Sequence, residues 1–301
     1  MTTTTTPIEA EAQAQTSTAA GRATRFLRQS PVHIVLILIC LVWTVPTVGL
    51  LVSSFRPAAQ VATTGWWEAF STPFKFTLDN YQQVIAANNM GQSFINSLFI
   101  AIPATVIPIM VAAFAAYAFA WMEFPGRQVL FIIVVGLLVI PLQMTMIPVL
   151  RLFNNFGLTG SFLAVWLAHT GYGLPFAIYL LRNFMGGLPR EIFESVYLDG
   201  ASPFTAFFRM ALPLSIPAVA SLAIFQFMWV WNDLLVALIY LGGAPSVAPM
   251  PLTIAGLINS LGQGWQLLTA AAFLSMLLPL VVFFSMQRYF VRGILAGSVK
   301  E

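Results

Sequence analysis

Phe131-Ile132-Ile133-Val134-Val135-Gly136-Leu137-Leu138-Val139-Ile140 is the stretch on which the fold turns. Apolar side chains follow one another here without alternation, whereas a membrane barrel strand alternates apolar and polar residues over about ten positions. An α-helix is the other backbone that satisfies its own N–H and C=O groups in lipid. The segment therefore reads as part of a membrane-crossing helix. Working outward, the charge-free run extends from Gln128 to Leu150, long enough for the about 20 residues that a span requires.

Five further runs have the same character. Gln29–Phe55 holds a span placed at 32–52. Asn80–Met122 opens with the polar residues Asn88, Asn89, Gln92 and Ser93, leaving a span at 94–121. Leu152–Leu181 holds another, and Met210–Asn232 begins one that continues past Asp233 to Tyr240. Gln266–Gln287 is the last. The expected fold is an all-α polytopic membrane protein with six transmembrane helices, and composition agrees. Only 8% of the 301 residues are charged and 59% are hydrophobic, with a mean hydropathy of +0.86; soluble domains carry about 25% charged residues. The apolar content excludes disorder, and the single Cys40 excludes a disulfide scaffold. A net charge of +3 is too small to imply nucleic acid.

Lys and Arg set the orientation. With the N-terminus inside, the inner segments hold ten of them: Arg22, Arg25, Arg28, Arg127, Arg182, Arg190, Arg209, Arg288, Arg292 and Lys300. The outer segments hold three, Arg56, Lys75 and Arg151, so both termini are expected in the cytoplasm. Residues 1–30 are rich in Thr, Ala and Gln without periodicity and read as a disordered cytoplasmic tail, followed by a six-span membrane domain over 31–301. The first apolar run is long enough to span, so it is not a cleavable signal.

Catalytic chemistry is missing. The only lysines, Lys75 and Lys300, follow Phe74 and Val299, so no Gly-Lys-Ser/Thr phosphate loop exists. His33 and His169 have no acidic neighbour at helical spacing, and one cysteine cannot complete a thiolate metal site. No nucleophile elbow appears. The chain is not expected to be an enzyme, and it carries no cofactor of its own. Asp233 is the one carboxylate inside a span, which is thin support for ion coupling.

Leu188–Pro213, LPREIFESVYLDGASPFTAFFRMALP, is the most informative loop. Pro189 suits a first helical position, and Glu191 and Glu194 complement a helix N-terminus. Gly200 supplies a left-handed stop; Ser202 and Pro203 restart a helix as cap and first residue. Two short helices joined by a tight turn follow. Ile192, Phe193 and Val196 share one face of the first, and Phe204, Phe207 and Phe208 crowd the second. Helices this short need support. Two readings stay open: an interfacial helix lying on lipid headgroups, or a plug fitting a groove on a soluble partner.

Glu194-Ser195-Val196, Gly200, Met210 and Leu212-Pro213 resemble the E-A-A-x3-G-x9-I-x-L-P loop of ABC importer permeases, with Ser195, Val196 and Met210 as departures, and Asp199 and Ala201 flanking the glycine as expected. Trp231-Asn232-Asp233, Ser54-Phe55-Arg56-Pro57, Leu78-Asp79-Asn80-Tyr81, Phe94-Ile95-Asn96-Ser97 and the C-terminal QRYFVRGILAGSVKE look like the maltose-type carbohydrate permeases. Gly65-Trp66-Trp67 resembles the α-glucoside subgroup. The resemblance covers nearly all the chain beyond residue 30 and is to the second, six-span permease subunit.

That resemblance implies an ABC importer type I permease architecture in a bacterial or archaeal plasma membrane, with four kinds of partner. They are a second permease, an ATPase dimer that binds ATP and Mg, an extracytoplasmic solute-binding protein, and a sugar. The loop over 185–213 would couple to the ATPase through Glu191, Ile192, Phe193, Glu194, Ser195, Val196, Asp199, Gly200 and Ala201. Of the outer loops at 53–93 and 242–264, the second would reach the binding protein through Val247, Ala248, Pro249, Met250 and Pro251. The tail over 291–301 would be a second docking element. Gln226, Asn232 and Asp233 are candidates for lining a sugar path, as are Gln143, Asn154 and Asn155, because amides recognise hydroxyls. His169, Trp229 and Trp231 fit either that path or packing. Pro103, Pro108, Pro141, Pro148 and Pro175 mark either moving or fixed kinks. Two competing functions remain at this level: a stand-alone secondary transporter of a small polar solute, and a membrane-embedded enzyme.

Overall fold

The computed structural model describes residues 7–71, 75–87, 89–258 and 263–298. Helix α1 (Pro7–Ser54) leads into α2 (Ala58–Thr63), a 3-10 turn at Trp66–Phe70, and α3 (Asp79–Ala87). Next come α4 (Met90–Trp121), α5 (Arg127–Gly136), α6 (Leu142–Asn155) and α7 (Phe162–Gly186). The informative loop forms α8 (Arg190–Leu198) and α9 (Pro203–Ala206), continued by a π-helical stretch at Phe207–Ala211 and by α10 (Leu212–Leu214). Then follow α11 (Ile216–Trp231), α12 (Leu235–Leu241), α13 (Met250–Ala255) and α14 (Trp265–Ser298).

Among the described residues, four helical segments are long and apolar enough to cross a membrane: Pro31–Ser54, Met90–Trp121, Phe162–Gly186 and Trp265–Gln287. The third and fifth expected spans are not straight. Arg127–Val139 and Leu142–Asn155 meet at 103°, and Pro203–Leu214 meets Ile216–Trp231 at 72°. Pro141 explains the first bend: it has no N–H to continue the ladder, disfavours helical geometry at Ile140, and takes an extended ψ of 127° itself. Pro103, Pro108, Pro148 and Pro175 instead stay inside continuous helices. The fifth span breaks again at Asn232–Leu234, where the Asp233 carboxylate accepts the N–H of Ala237 at 3.1 Å and starts α12.

Helix continues past the expected spans at both chain ends. Residues 1–6 lie outside the described residues, but α1 begins at Pro7 rather than near 31. Ala, Glu and Gln dominate Ile8–Gln15 and are good helix formers; a helix already nucleated in the span extends into them without a new nucleus. At the other end α14 runs to Ser298, through most of the expected tail; residues 299–301 lie outside the described residues.

The centre of the bundle is the parallel pair α4–α7. Ser97, Ala101, Ala104, Ala112 and Ala116 of α4 and Ala164, Ala168, Gly173 and Ala177 of α7 are all buried. Small residues let two backbones approach closely where lipid offers no hydrophobic drive. Trp166 donates its indole N–H to Phe99 O at 3.0 Å near one end, and Trp121 donates to Met185 O at 2.9 Å at the other. Buried side chains form one apolar cluster around Trp231, Tyr240 and Met250 and a second around Leu181, Phe193 and Phe207. By contrast, the best window of the first span is only 6% buried, so α1 stands largely clear of the bundle.

Two motifs distant in sequence meet in a corner after α1. Asn80 donates to Ser54 O at 2.8 Å and Arg56 O at 2.9 Å, and the Ser54 and Tyr81 hydroxyls lie 2.8 Å apart. Arg56, 2% exposed, donates to Thr64 O, Gln60 O and Thr64 Oγ1. A cation at the C-terminal carbonyls of α2 also complements the helix dipole.

Candidate docking and contact sites

The hairpin formed by α8 and α9 sits at the end of the bundle where α4 and α7 finish. Its turn has the local chemistry expected: Gly200 takes a φ of +80°, and Ser202 Oγ accepts the N–H of Thr205 at 3.2 Å. A Cβ at Gly200 would meet nothing within 4 Å, so glycine serves conformation there, not space.

The apolar faces of the hairpin rest on the chain itself. Phe193 is 1% exposed and stacks on Trp121 with ring centroids 3.8 Å apart. Ile192 and Val196 pack into the same cluster. The Tyr197 hydroxyl lies 2.8 Å from that of Tyr117 on α4. Phe207 stacks on Phe114 at 4.6 Å and meets Tyr117 at a 60° tilt at 5.3 Å. Within this chain, then, Phe193 is buried and Ile192 and Val196 are half-buried, and the three fasten the helix to the bundle. Glu191, Glu194, Ser195, Asp199 and Gly200 remain exposed, with Ala201 half-buried. Sequence reading missed Leu198, which is 88% exposed at the tip of α8, and the anchoring partner Tyr117. The signal was present in Phe193 and Tyr197, an aromatic pair at i, i+4 that shares a helix face.

The loop over 242–264 is tied to α4. Asn96 donates to Ser246 O at 3.0 Å and Ala248 O at 3.1 Å. Ser97 Oγ accepts the N–H of Met250 at 2.8 Å, and the Ser93 and Thr253 hydroxyls lie 2.6 Å apart. Ala248, Pro249 and Met250 are buried and Val247 and Pro251 half-buried, so these five residues face α4 and offer little surface to a partner. The exposed part is 242–246, with Ala255, Gly256 and Gln263; residues 259–262 lie outside the described residues. Asn96 and Ser97 belong to a motif already singled out, yet nothing in one sequence links it to a loop some 150 positions on.

The polar residues of the spans fall into separate places. Gln226, 6% exposed, donates to Ala104 O at 3.1 Å and fills the space beside Gly173, so within this chain it seals the helix junction. Asn232 is exposed and donates to Met228 O of its own helix at 2.8 Å. Asp233 reaches His169: its Oδ2 lies 3.7 Å from Nε2. The histidine is buried and meets Trp229 edge-on at 5.0 Å. A partner absent at helical spacing is thus supplied to α7 from the break between α11 and α12. Gln143, Asn154 and Asn155 are exposed on or beside α6, away from this group. Among the described residues no group of three or more His, Cys, Asp or Glu could hold a metal.

Comparison with known proteins adds four findings. Residues 109–296 match the protein family described as binding-protein-dependent transport system inner membrane component. The chain is 58% identical to the osmoprotective compounds uptake permease protein GgtD of Synechocystis sp., over 93% of this chain and 95% of the relative. It is 43% identical to the alpha-glucoside transport system permease protein AglG of Rhizobium meliloti, over 91% and 98%. Its fold is that of a chain in a bacterial ABC transporter involved in the import of the acidic polysaccharide alginate, with a TM-score of 0.72 at 18% identity, covering 96% of this chain and all of the other.

Proposed function

The chain belongs to the family of binding-protein-dependent transport system inner membrane components, and we propose from that premise that it forms half of the translocation path of an ATP-driven sugar importer. It is a non-catalytic subunit. The other half would be a second permease, the motor an ATPase dimer, and the supplier of substrate an extracytoplasmic solute-binding protein. A relative named for α-glucoside transport supports an α-glucoside or other oligosaccharide as the solute. An α1 that leaves the bundle with most of its surface uncovered supports a second membrane subunit or lipid around it.

The observation that carries the reading is the rigid fastening of α8. A nine-residue helix has little stability alone. Here it is clamped at Phe193 and Tyr197 and stopped at Gly200, while Glu191, Glu194, Ser195 and Leu198 project outward. A projection held this firmly passes motion of a soluble subunit into α4, and through the hairpin into α11. The α8 end would face the cytoplasm with both termini, as the distribution of Lys and Arg supports. At the opposite end the exposed stretch 242–246 would meet the binding protein. Asn232 and Asp233 would face the path at the break in the fifth span, whereas Gln226 is withdrawn from that role by its burial.

Affinity purification from native membranes in mild detergent tests this. The expected result is a stoichiometric second permease and ATPase, with uptake requiring ATP and the solute-binding protein. Solute uptake by the purified chain alone, driven by an ion gradient, would overturn it.

A further inference from the structure

Near the α8 end of the bundle, a cleft of about 340 Å³ opens between α4, α5 and α7, lined by Phe119, Arg127, Gln128, Phe131, Ile132 and Arg182. Its charge is one-sided. Arg182 lies over the Phe131 ring at 4.9 Å, and its one hydrogen bond among the described residues runs from Nη1 to Asn183 Oδ1 at 3.3 Å. Its Nε is buried without a partner. Arg127, the first residue of α5, is held at the mouth by a 2.9 Å hydrogen bond to Met122 O. Among the described residues no carboxylate lies within 4.0 Å of either guanidinium; Glu123, four positions before Arg127, points to solvent.

Two guanidinium forks beside one cleft, with N–H groups to spare, match the oxygens of a phosphate ester. The rest of the wall is aromatic and aliphatic. It continues onto the open flank of α5, where Val129 and Ile132 are each 62% exposed. A free phosphate would have no use for that flank, whereas an acyl chain would cover it. We infer that this cleft binds the phosphate group of an anionic phospholipid in the leaflet on the α8 side, its tails lying along α5. Basic pockets between spans at that depth suit such headgroups. The site is beside the anchor of α8, because Trp121, two residues after Phe119, carries the Phe193 stack. Bound lipid therefore braces the helix end against which α8 is clamped. The inference does not depend on what the chain transports.

Native mass spectrometry of the purified chain, titrated with phosphatidylglycerol, phosphatidylcholine or inorganic phosphate, tests it. One phosphatidylglycerol should be retained in preference to phosphatidylcholine, and millimolar phosphate should not displace it. Arg127→Gln and Arg182→Gln should each weaken retention about tenfold, as expected for loss of a charge-assisted hydrogen bond, and R127K/R182K should recover part of it. Equal retention of the two lipids, or unchanged retention in the double glutamine variant, overturns the site. Displacement by phosphate, or crosslinking of the cleft to an acidic segment of another protein, overturns the lipid as its occupant. If the glutamine variants cannot be purified, the lipid comparison on the native chain and the lysine variant decides.

Discussion

Phe193→Ala removes the ring that fastens α8 to the bundle while leaving every exposed residue of that helix in place. The ring is 1% exposed and stacks at 3.8 Å on Trp121, whose indole is itself fixed by Met185 O at 2.9 Å. Truncating a buried phenylalanine costs about 3–5 kcal/mol. Nine residues of helix hold no reserve of their own, so the loss falls on the attachment of α8 and not on the spans. The lower figure, about 3 kcal/mol, raises the opening constant about a hundredfold. The Tyr117–Tyr197 bond, which survives, is worth about 1 kcal/mol and cannot hold the helix alone. Hydrogen exchange followed by mass spectrometry on the detergent-solubilised transporter reads this directly. Peptides covering 190–198 should exchange about a hundredfold faster, while peptides from the buried middle of α4 stay unchanged. ATP hydrolysis should then continue without uptake. An increase in α8 of less than about threefold, or an equal rise throughout the bundle, would refute the reasoning.

Three other outcomes follow from the same geometry. Gly200→Leu should uncouple hydrolysis from uptake through backbone strain of about 1–2 kcal/mol, whereas Gly200→Asn, which tolerates positive φ, should keep most uptake; both are read by transport into proteoliposomes. A Cβ at Gly173 would stand 2.7 Å from Gln226 Oε1, so Gly173→Ala should lower the melting temperature and Gln226→Ala should partly restore it, a non-additivity visible in a double-mutant cycle. Arg56→Met strips three donor contacts from a buried corner and should cost about 2 kcal/mol by thermal unfolding, with exchange in α8 unaffected.

Helix-forming stretches and their order were legible because lipid demands long uninterrupted apolar runs, and the sequence reads as such at 32–52, 94–121 and 266–287. Bends were harder to see. Pro141 interrupts its helix while Pro103 and Pro175 do not, since neighbours decide whether a freed carbonyl is satisfied inside a bundle. The hairpin turn was readable from Gly200, Ser202 and Pro203, whose effects are local. Which face of α8 points outward was not, because apolar residues suit a partner's groove and the chain's own core equally well. Val247–Pro251 are assigned to a partner by the resemblance alone, which carries no sign that Asn96 and Ser97 hold that stretch against α4. Asp233 and His169 meet across helices, a contact that no periodicity within one segment encodes.

Site-directed crosslinking in the assembled transporter tests the central claim most directly. With Cys40, the only native cysteine, replaced by serine, single cysteines are placed outward at Glu194 and Leu198 and inward at Ile192. Crosslinks from 194 and 198 to a nucleotide-hydrolysing subunit, with none from 192, are the predicted result. Lipid adducts alone from 194 and 198, or equal crosslinking from 192, would contradict the account.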